Sequence, residues 1–178
     1  LCDGAVKPVT PVYPWSYTGA APVCKRLRHD AEYVSRYYQK TGCMVNAIFC
    51  ANGKLACAML ESVQMVYVDA RVEAVEFVPG ENAGDIVAKL EKLVSIHNQD
   101  EWLIAVDLQC GSPWNAAAML EMRNPRLRVI SGLSLPLALE LVDNQDSMNI
   151  DELCEHLTQI AKQTCVVGRQ VATAEEDF

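Results

Sequence analysis

Apolar and polar residues follow two alternating patterns from residue 44 onward. Four short apolar runs, each ended by a turn signal, predict β-strands over residues 45–50, 72–78, 102–106 and 127–130. Apolar residues spaced three and four positions apart follow each run and predict helices. The pattern is therefore β-α repeated four times. It predicts an α/β fold, in which a doubly wound, mostly parallel four-stranded sheet carries helices on both faces.

The predicted helices carry start signals. Asn82 is the expected N-cap of the second helix, and Ser112 is the expected N-cap of the third, with Pro113 as its first helical residue. Two further helices are expected over about residues 136–142 and 150–163. Apolar stripes mark the first helix at Leu55, Met59, Leu60 and Val63, and the second at Ile86, Val87, Leu90, Leu93 and Val94.

The stretch after the third strand is the most informative part of the chain. The buried run 102–106 ends at Asp107, and a short turn through Gly111 leads into a helix. The unpaired amides and the dipole of a helix N-terminus favour negative charge, so this arrangement predicts an anion site for a phosphoryl group. We expect the strand order 2-1-3-4, in which the loops after strands one and three meet at the ligand-binding edge. The turn at residues 51–53 would then face residues 107–112.

Composition and charge argue against two classes of protein, nucleic-acid binders and membrane-spanning proteins. The 178 residues are 51% hydrophobic, which is ample for a core. The net charge of −8 argues against a nucleic-acid binder, which needs a basic face. No apolar stretch approaches the roughly 20 residues that span a bilayer, and no signal-peptide pattern opens the chain. We therefore expect a cytoplasmic protein that does not bind nucleic acid.

The eight cysteines form neither a Cys-X-X-Cys pair nor a zinc-type cluster. Several lie within apolar patterns, where a free cysteine behaves as a small buried residue. We therefore interpret them as reduced and predict neither a metal site nor a cofactor. Cys50 and Cys110 are both expected near the anion site, where a helix N-terminus can lower the pKa of a thiol. A redox function of this pair is therefore an alternative hypothesis.

Residues 1–43 differ in composition from the rest of the chain. They contain five of the six tyrosines and four of the eight prolines and carry a charge of +3, whereas residues 44–178 carry −11. Met44 opens the first strand, so two interpretations of this N-terminal appendage stay open. It is either a disordered or non-native piece, or an arm that binds a partner or clasps a dimer. The domain is expected to span residues 44–165, followed by an acidic tail at residues 166–178.

Three motifs resemble those of the IIA domain of mannose-family sugar phosphotransferase systems. Residues 107–115, Asp-Leu-Gln-Cys-Gly-Ser-Pro-Trp-Asn, resemble the family's Asp-x-x-Gly-Gly-Ser-Pro-x-Asn, with Cys110 in place of one glycine. Residues 77–82, Phe-Val-Pro-Gly-Glu-Asn, and residues 130–137, Ile-Ser-Gly-Leu-Ser-Leu-Pro-Leu, resemble the exits of the family's second and fourth strands. The order and the separations match, and the resemblance covers about residues 44–165.

A fourth motif departs from the family. The family has His-Gly at the end of strand one, and this histidine carries the phosphoryl group, whereas this chain has Asn52-Gly53. An amide is not a nitrogen nucleophile, so Asn52 is expected to be unable to accept phosphate. The three histidines of the chain are not expected to replace it. Solvated surface positions are predicted for His29, His97 and His156.

The resemblance implies roles for the other residues of the site. Asp107 would neighbour the acceptor position. Ser112 would help to bind the phosphate, together with Gly53 and Gly111. A structural role is an equal alternative, with Asp107 forming the turn and Ser112 capping the helix. Lys54 is expected to point to solvent rather than to the anion.

The resemblance implies a cytoplasmic phosphoryl carrier in sugar uptake. Such a phosphotransferase component takes phosphate from the histidine phosphocarrier protein and passes it to a IIB subunit. The family also implies a homodimer with an edge strand exchanged between subunits, and contact with the membrane only through the transporter complex. For this chain, the missing histidine predicts a defective or regulatory carrier. The alternative is a non-catalytic module that binds a IIB subunit or another regulator.

Overall fold

The computed structural model describes residues 44–97 and 100–167, and the N-terminal appendage and residues 168–178 of the expected tail lie outside them. Within the described ranges the strands are β1 (Val45–Asn52), β2 (Val72–Phe77), β3 (Glu101–Val106) and β4 (Leu127–Ser131). The helices are α1 (Leu55–Gln64), α2 (Ala83–Val94), α3 (Ser112–Glu121), α4 (Leu135–Asn144) and α5 (Ile150–Ala161). A short 3₁₀ turn at Ser95–His97 follows α2.

The four strands form one parallel sheet in the order β2-β1-β3-β4. This is the order that the sequence predicted. β1 and β3 lie in the centre, and Cys50 pairs with Val75 on one side and with Val106 on the other. All carboxyl ends therefore lie at one edge, and the loops after β1 and β3 are neighbours there.

Helices cover both faces of the sheet, which makes it doubly wound as predicted. Successive side chains of a strand point to opposite faces, so β1 contributes to two separate apolar clusters. Phe49 packs with residues of α1, α4 and α5, whereas Ile48 packs with residues of α2 and α3. The central strands are buried on both sides, and this explains their nearly continuous apolar sequences.

Two predicted boundaries near the anion site were wrong. β1 does not end at Cys50 but continues to Asn52, because Asn52 still pairs with Phe77 of β2. Ser112 is not the N-cap of α3: Gly111 occupies that position, and no side chain caps the helix. Pairing with β2 extends β1, and α3 starts one residue earlier than expected because the Gly111 carbonyl accepts the first helical hydrogen bond, from the Asn115 N–H.

Asn82 was correctly predicted as the N-cap of α2. Its side chain accepts hydrogen bonds from the backbone N–H groups of Gly84 and Asp85, and the Asp85 carboxylate accepts one from the Asn82 N–H in return. This capping box satisfies amides that the first turn of a helix leaves without partners. It fixes the start of α2 directly after the β2 exit loop.

The histidines occupy different environments. His97 is exposed after α2, as predicted, and His29 lies outside the described residues. The prediction for His156 was wrong. It is half-buried between α5 and α4, with its Nε2 atom 3.0 Å from the Glu140 Oε2 atom. Packing of α5 against α4 turns this side of α5 toward another helix instead of solvent.

A membrane-spanning helix is absent from the described residues, because no helix there is both long and apolar enough. The same part of the chain contains no group of three or more His, Cys, Asp or Glu residues placed to bind a metal ion.

Candidate functional site

Asn52 and Asp107 contact each other at the carboxyl ends of the two central strands. The Asn52 side-chain Nδ2 donates a hydrogen bond of 2.8 Å to Asp107 Oδ2, and the Asn52 backbone N–H donates one of 2.9 Å to the same oxygen. The two residues are 55 positions apart in sequence, and the parallel pairing of β1 with β3 brings them together. We call this pair and its two flanking loops the crevice.

The Asp107 carboxylate is fixed on both of its oxygens. While Oδ2 accepts both bonds from Asn52, Oδ1 accepts a bond of 2.9 Å from the backbone N–H of Leu108. Asp107 is half-buried and Asn52 is exposed. The amide of Asn52 therefore lies between a carboxylate held in place by the turn and the open solvent.

Gly53 allows β1 to leave the sheet at this point. Its φ of +60° lies in the left-handed region that glycine adopts without the penalty of a Cβ atom. Its N–H donates a bond of 2.8 Å to the carbonyl oxygen of Phe77, at the end of β2. Phe77 therefore supports the crevice loop from the neighbouring strand. The sequence placed Phe77 in the motif at the exit of the second strand but gave it no role in the site, because the role is played by its backbone carbonyl.

Gly111 and Ser112 form the start of α3 on the other side of the crevice. Gly111 has a φ of −80°, which any residue adopts, and Ser112 is half-buried as the first helical residue. No side chain caps α3, so the backbone N–H groups of Ser112 and Trp114 can donate to an anion, whereas Pro113 has no N–H.

Cys110 is the residue of the crevice loop with an unusual backbone. Its φ is +64°, which no other described non-glycine residue shares in the positive range. The left-handed region costs an L-residue roughly 1–2 kcal/mol. Cys110 lies in the loop between Asp107 and the start of α3, and its side chain is exposed to solvent.

Cys50 does not fit the redox alternative. It is fully buried in β1, and burial raises the pKa of its thiol to about 12, with a further contribution from the neighbouring Asp107 charge. A redox pair with Cys110 would need a lowered pKa, and the pKa of Cys50 is raised instead. Its location near the crevice was predicted correctly, but its side chain belongs to the core between the sheet and helices α2 and α3.

Lys54 is exposed directly before α1, in agreement with the solvent orientation predicted for it. A cavity of about 340 Å³ lies elsewhere, beside Val68, Arg71 and Asp146. Val68 and Arg71 precede β2, and Asp146 lies in the loop between α4 and α5, next to Gln145, which bonds to the first residue of β1. The cavity is therefore separate from the edge at which Asn52, Gly53 and Asp107 meet.

The fold and this edge define a class of α/β protein that presents a carboxylate and a helix N-terminus beyond the ends of parallel strands. The family model described as "PTS system fructose IIA component" (EIIA-man) matches residues 48–158. The chain therefore belongs to the mannose-type family of phosphotransferase-system (PTS) IIA components.

Individual relatives agree with this assignment. The chain is 68% identical over 135 residues to the sorbose-specific EIIA component of Klebsiella pneumoniae, which covers 76% of this chain and all of the relative. It is 28% identical over 133 residues to the sorbose-specific EIIA component of Lacticaseibacillus casei, with 73% and 96% covered. Among solved structures, the mannose/sorbose-specific IIA subunit of Enterococcus faecalis matches with a TM-score of 0.66 and 30% identity, covering 70% of this chain and 94% of that one.

Proposed function

We propose that this IIA component carries the phosphate-binding half of a transfer site, with Asn52 at the position of the acceptor histidine. The observation that supports this most is the pair of hydrogen bonds from Asn52 to Asp107 Oδ2. In a family member with histidine at this position, the same carboxylate oxygen would lie beside an imidazole ring. Hydrogen bonding by a carboxylate would orient the ring and favour its protonated form.

The chemistry of the amide limits what this chain does. The Asn52 nitrogen has its lone pair delocalised into the carbonyl and donates to Asp107, so it is not a nucleophile toward phosphorus. The chain is therefore a defective or regulatory version of a phosphoryl carrier. The amides at the start of α3, with Gly53, Gly111 and Ser112, would bind a phosphoryl group that a partner presents.

The partners follow from the family. PTS IIA components work with other components of the same system. We therefore propose the histidine phosphocarrier protein and a IIB subunit as the partners of this chain. The similarity to two sorbose-specific components supports sorbose as the sugar of the system. The chain would act in the cytoplasm and reach the membrane through the transporter complex.

The assembly proposed for the chain is a homodimer in which an edge strand is exchanged between subunits. β2 and β4 are the edge strands of the described sheet, so each leaves one row of backbone groups free for a further strand. We retain residues 44–165 as the domain and residues 166–178 as an acidic tail. Both interpretations of residues 1–43 stay predictions, because this appendage lies outside the described residues.

A labelling experiment tests the proposal. The chain is incubated with radiolabelled phosphoenolpyruvate, enzyme I and the phosphocarrier protein, and acid-labile phosphate on the chain is counted. We expect no label above a reaction that lacks enzyme I. Stoichiometric label would contradict the proposal, and mapping it would identify another acceptor.

The second candidate is a non-catalytic module that binds IIB or another regulator. The hydrogen bond from Asn52 to Asp107 favours it, because the amide occupies the carboxylate oxygen that would orient an acceptor. A pull-down with a IIB subunit, carried out without phosphoenolpyruvate, tests this function. A binding module retains IIB although it takes up no label, whereas an inactive chain does neither. A chain that takes up no label and binds no IIB would exclude the module.

A further inference from the structure

The loop that supports Gly53 is itself held by two charged side chains outside the crevice. Lys89 lies on α2, and its Nζ atom donates a bond of 2.9 Å to the backbone carbonyl oxygen of Glu76, near the end of β2. The same Nζ atom is 2.5 Å from Glu81 Oε1. The other Glu81 oxygen, Oε2, accepts a bond of 3.0 Å from the N–H of Val78. We call this set of contacts the Lys89–Glu81 clip.

The clip contacts the backbone on both sides of Phe77, the residue that supports the crevice. Glu76 and Val78 are the neighbours of Phe77 in the chain, and the clip holds a backbone group of each. Phe77 O in turn accepts the Gly53 N–H at 2.8 Å. A continuous series of hydrogen bonds therefore leads from Lys89 to Gly53, and Asn52 is its neighbour in the chain.

The charge state of the clip is well defined. The pKa of the Glu81 carboxyl lies below its ordinary value, first because Lys89 bonds to it and second because the Val78 N–H does. The carboxylate is therefore ionised throughout the neutral range.

We infer that Lys89 and Glu81 are positioning residues for position 52. The clip fixes the Phe77 carbonyl, the carbonyl holds Gly53, and Gly53 determines whether the side chain at position 52 points toward Asp107. This role rests on the proposed function, since position 52 is where a family member would carry its acceptor. Two of the three Lys89 N–H donors are directed to Glu76 O and Glu81, so its observed contacts are to the end of β2 and the loop that follows it.

Amide hydrogen exchange in the otherwise unchanged chain tests the inference without any phosphoryl transfer. A bond to a charged group is strong enough to change a local opening equilibrium by roughly tenfold. We expect Lys89→Met to accelerate exchange of the Gly53 N–H by about that factor. The Val45 N–H, bonded to Gln145 O at the opposite end of the sheet, serves as reference and should be unchanged.

Matched variants separate positioning from general stabilisation. Lys92→Met removes an exposed lysine of the same helix and should leave both amides unchanged. Lys89→Arg keeps a cation that reaches both acceptors and should restore protection at Gly53. Equal acceleration at Gly53 and Val45, or none at Gly53, would overturn the inference.

A second measurement uses Asn52→His, which supplies an acceptor. Lys89→Met in this background should lower the labelling rate about tenfold while the apparent KM for the phosphocarrier protein stays the same, because the ring is misdirected but the docking surface is intact. A raised KM at an unchanged maximal rate would make Lys89 a binding residue and contradict positioning. If Asn52→His takes up no label at all, the proposed function fails, while the exchange experiment still decides the inference.

Discussion

The two ends of the parallel sheet differ in how their polar groups are used. At the amino end, two bonds join elements that are distant in sequence, from the Val45 N–H to Gln145 O and from Asn46 to Asp100, and a local bond joins the Trp102 indole N–H to His97 O. At the carboxyl end, Asn52 and Asp107 bond to each other at the solvent boundary. The amino end is built for stability, and the carboxyl end leaves donors and acceptors available for chemistry. The same strands therefore support two functions at their two ends.

Introducing a histidine at position 52 should have the largest effect. Asn52→His places an imidazole beside Asp107 Oδ2, so acid-labile label should rise from background to a measurable level. Cys110 adds a side chain where the family has glycine, so we expect partial activity. The exchange of one exposed polar side chain for another should change the free energy of unfolding by less than about 1 kcal/mol.

The control for this gain is the double variant Asn52→His with Asp107→Ala. Removal of the carboxylate should abolish the label, because the ring loses its orienting partner. Label that persists in the double variant would show that Asp107 is dispensable. A folded Asn52→His chain without label would mean that the crevice has diverged from phosphoryl transfer.

Thiol reactivity should separate the core of the sheet from the crevice loop. A pKa of about 12 leaves the Cys50 thiolate roughly 1,000-fold scarcer at neutral pH than that of an ordinary thiol, and its burial blocks access as well. Exposed Cys110 should be alkylated first. Peptide mass mapping after brief iodoacetamide treatment measures both sites, and rapid modification of native Cys50 would contradict the assigned burial.

Breaking the amino end should cost stability without affecting the crevice. Arg71 is largely buried, and its guanidinium pairs with the Asp146 carboxylate and donates to Met44 Sδ. Arg71→Met leaves that carboxylate without its buried partner, so the free energy of unfolding should fall by about 3 kcal/mol in urea denaturation. The matched control is exposed Arg123, which lies 3.9 Å from Glu91. Arg123→Met should change the free energy of unfolding by less than about 0.5 kcal/mol.

The smallest predicted effect concerns the strained residue of the crevice loop. Cys110→Gly removes the penalty of a Cβ atom at φ +64° and should raise the free energy of unfolding by about 0.5–1 kcal/mol. Cys110→Ala keeps the Cβ atom and should give no such gain. A similar gain in both variants would attribute the effect to the thiol instead of the backbone.

The sequence by itself determined the sheet and the neighbourhood of the site. Alternating apolar patterns predict which segments are buried, and the expected strand order, which the structure confirms, places the ends of β1 and β3 side by side. The motif around Asp107 and the Asn52-Gly53 pair were found from local sequence, because turns and helix starts depend on neighbouring residues.

Only the tertiary structure decided the hydrogen-bond partners and the exact ends of the elements. β1 continues to Asn52 because β2 lies alongside it, Phe77 O supports Gly53, and His156 is half-buried because α5 packs on α4. None of these contacts is encoded in a local pattern. Each joins residues that are distant in the chain, so its geometry exists only once the strands and helices have packed together.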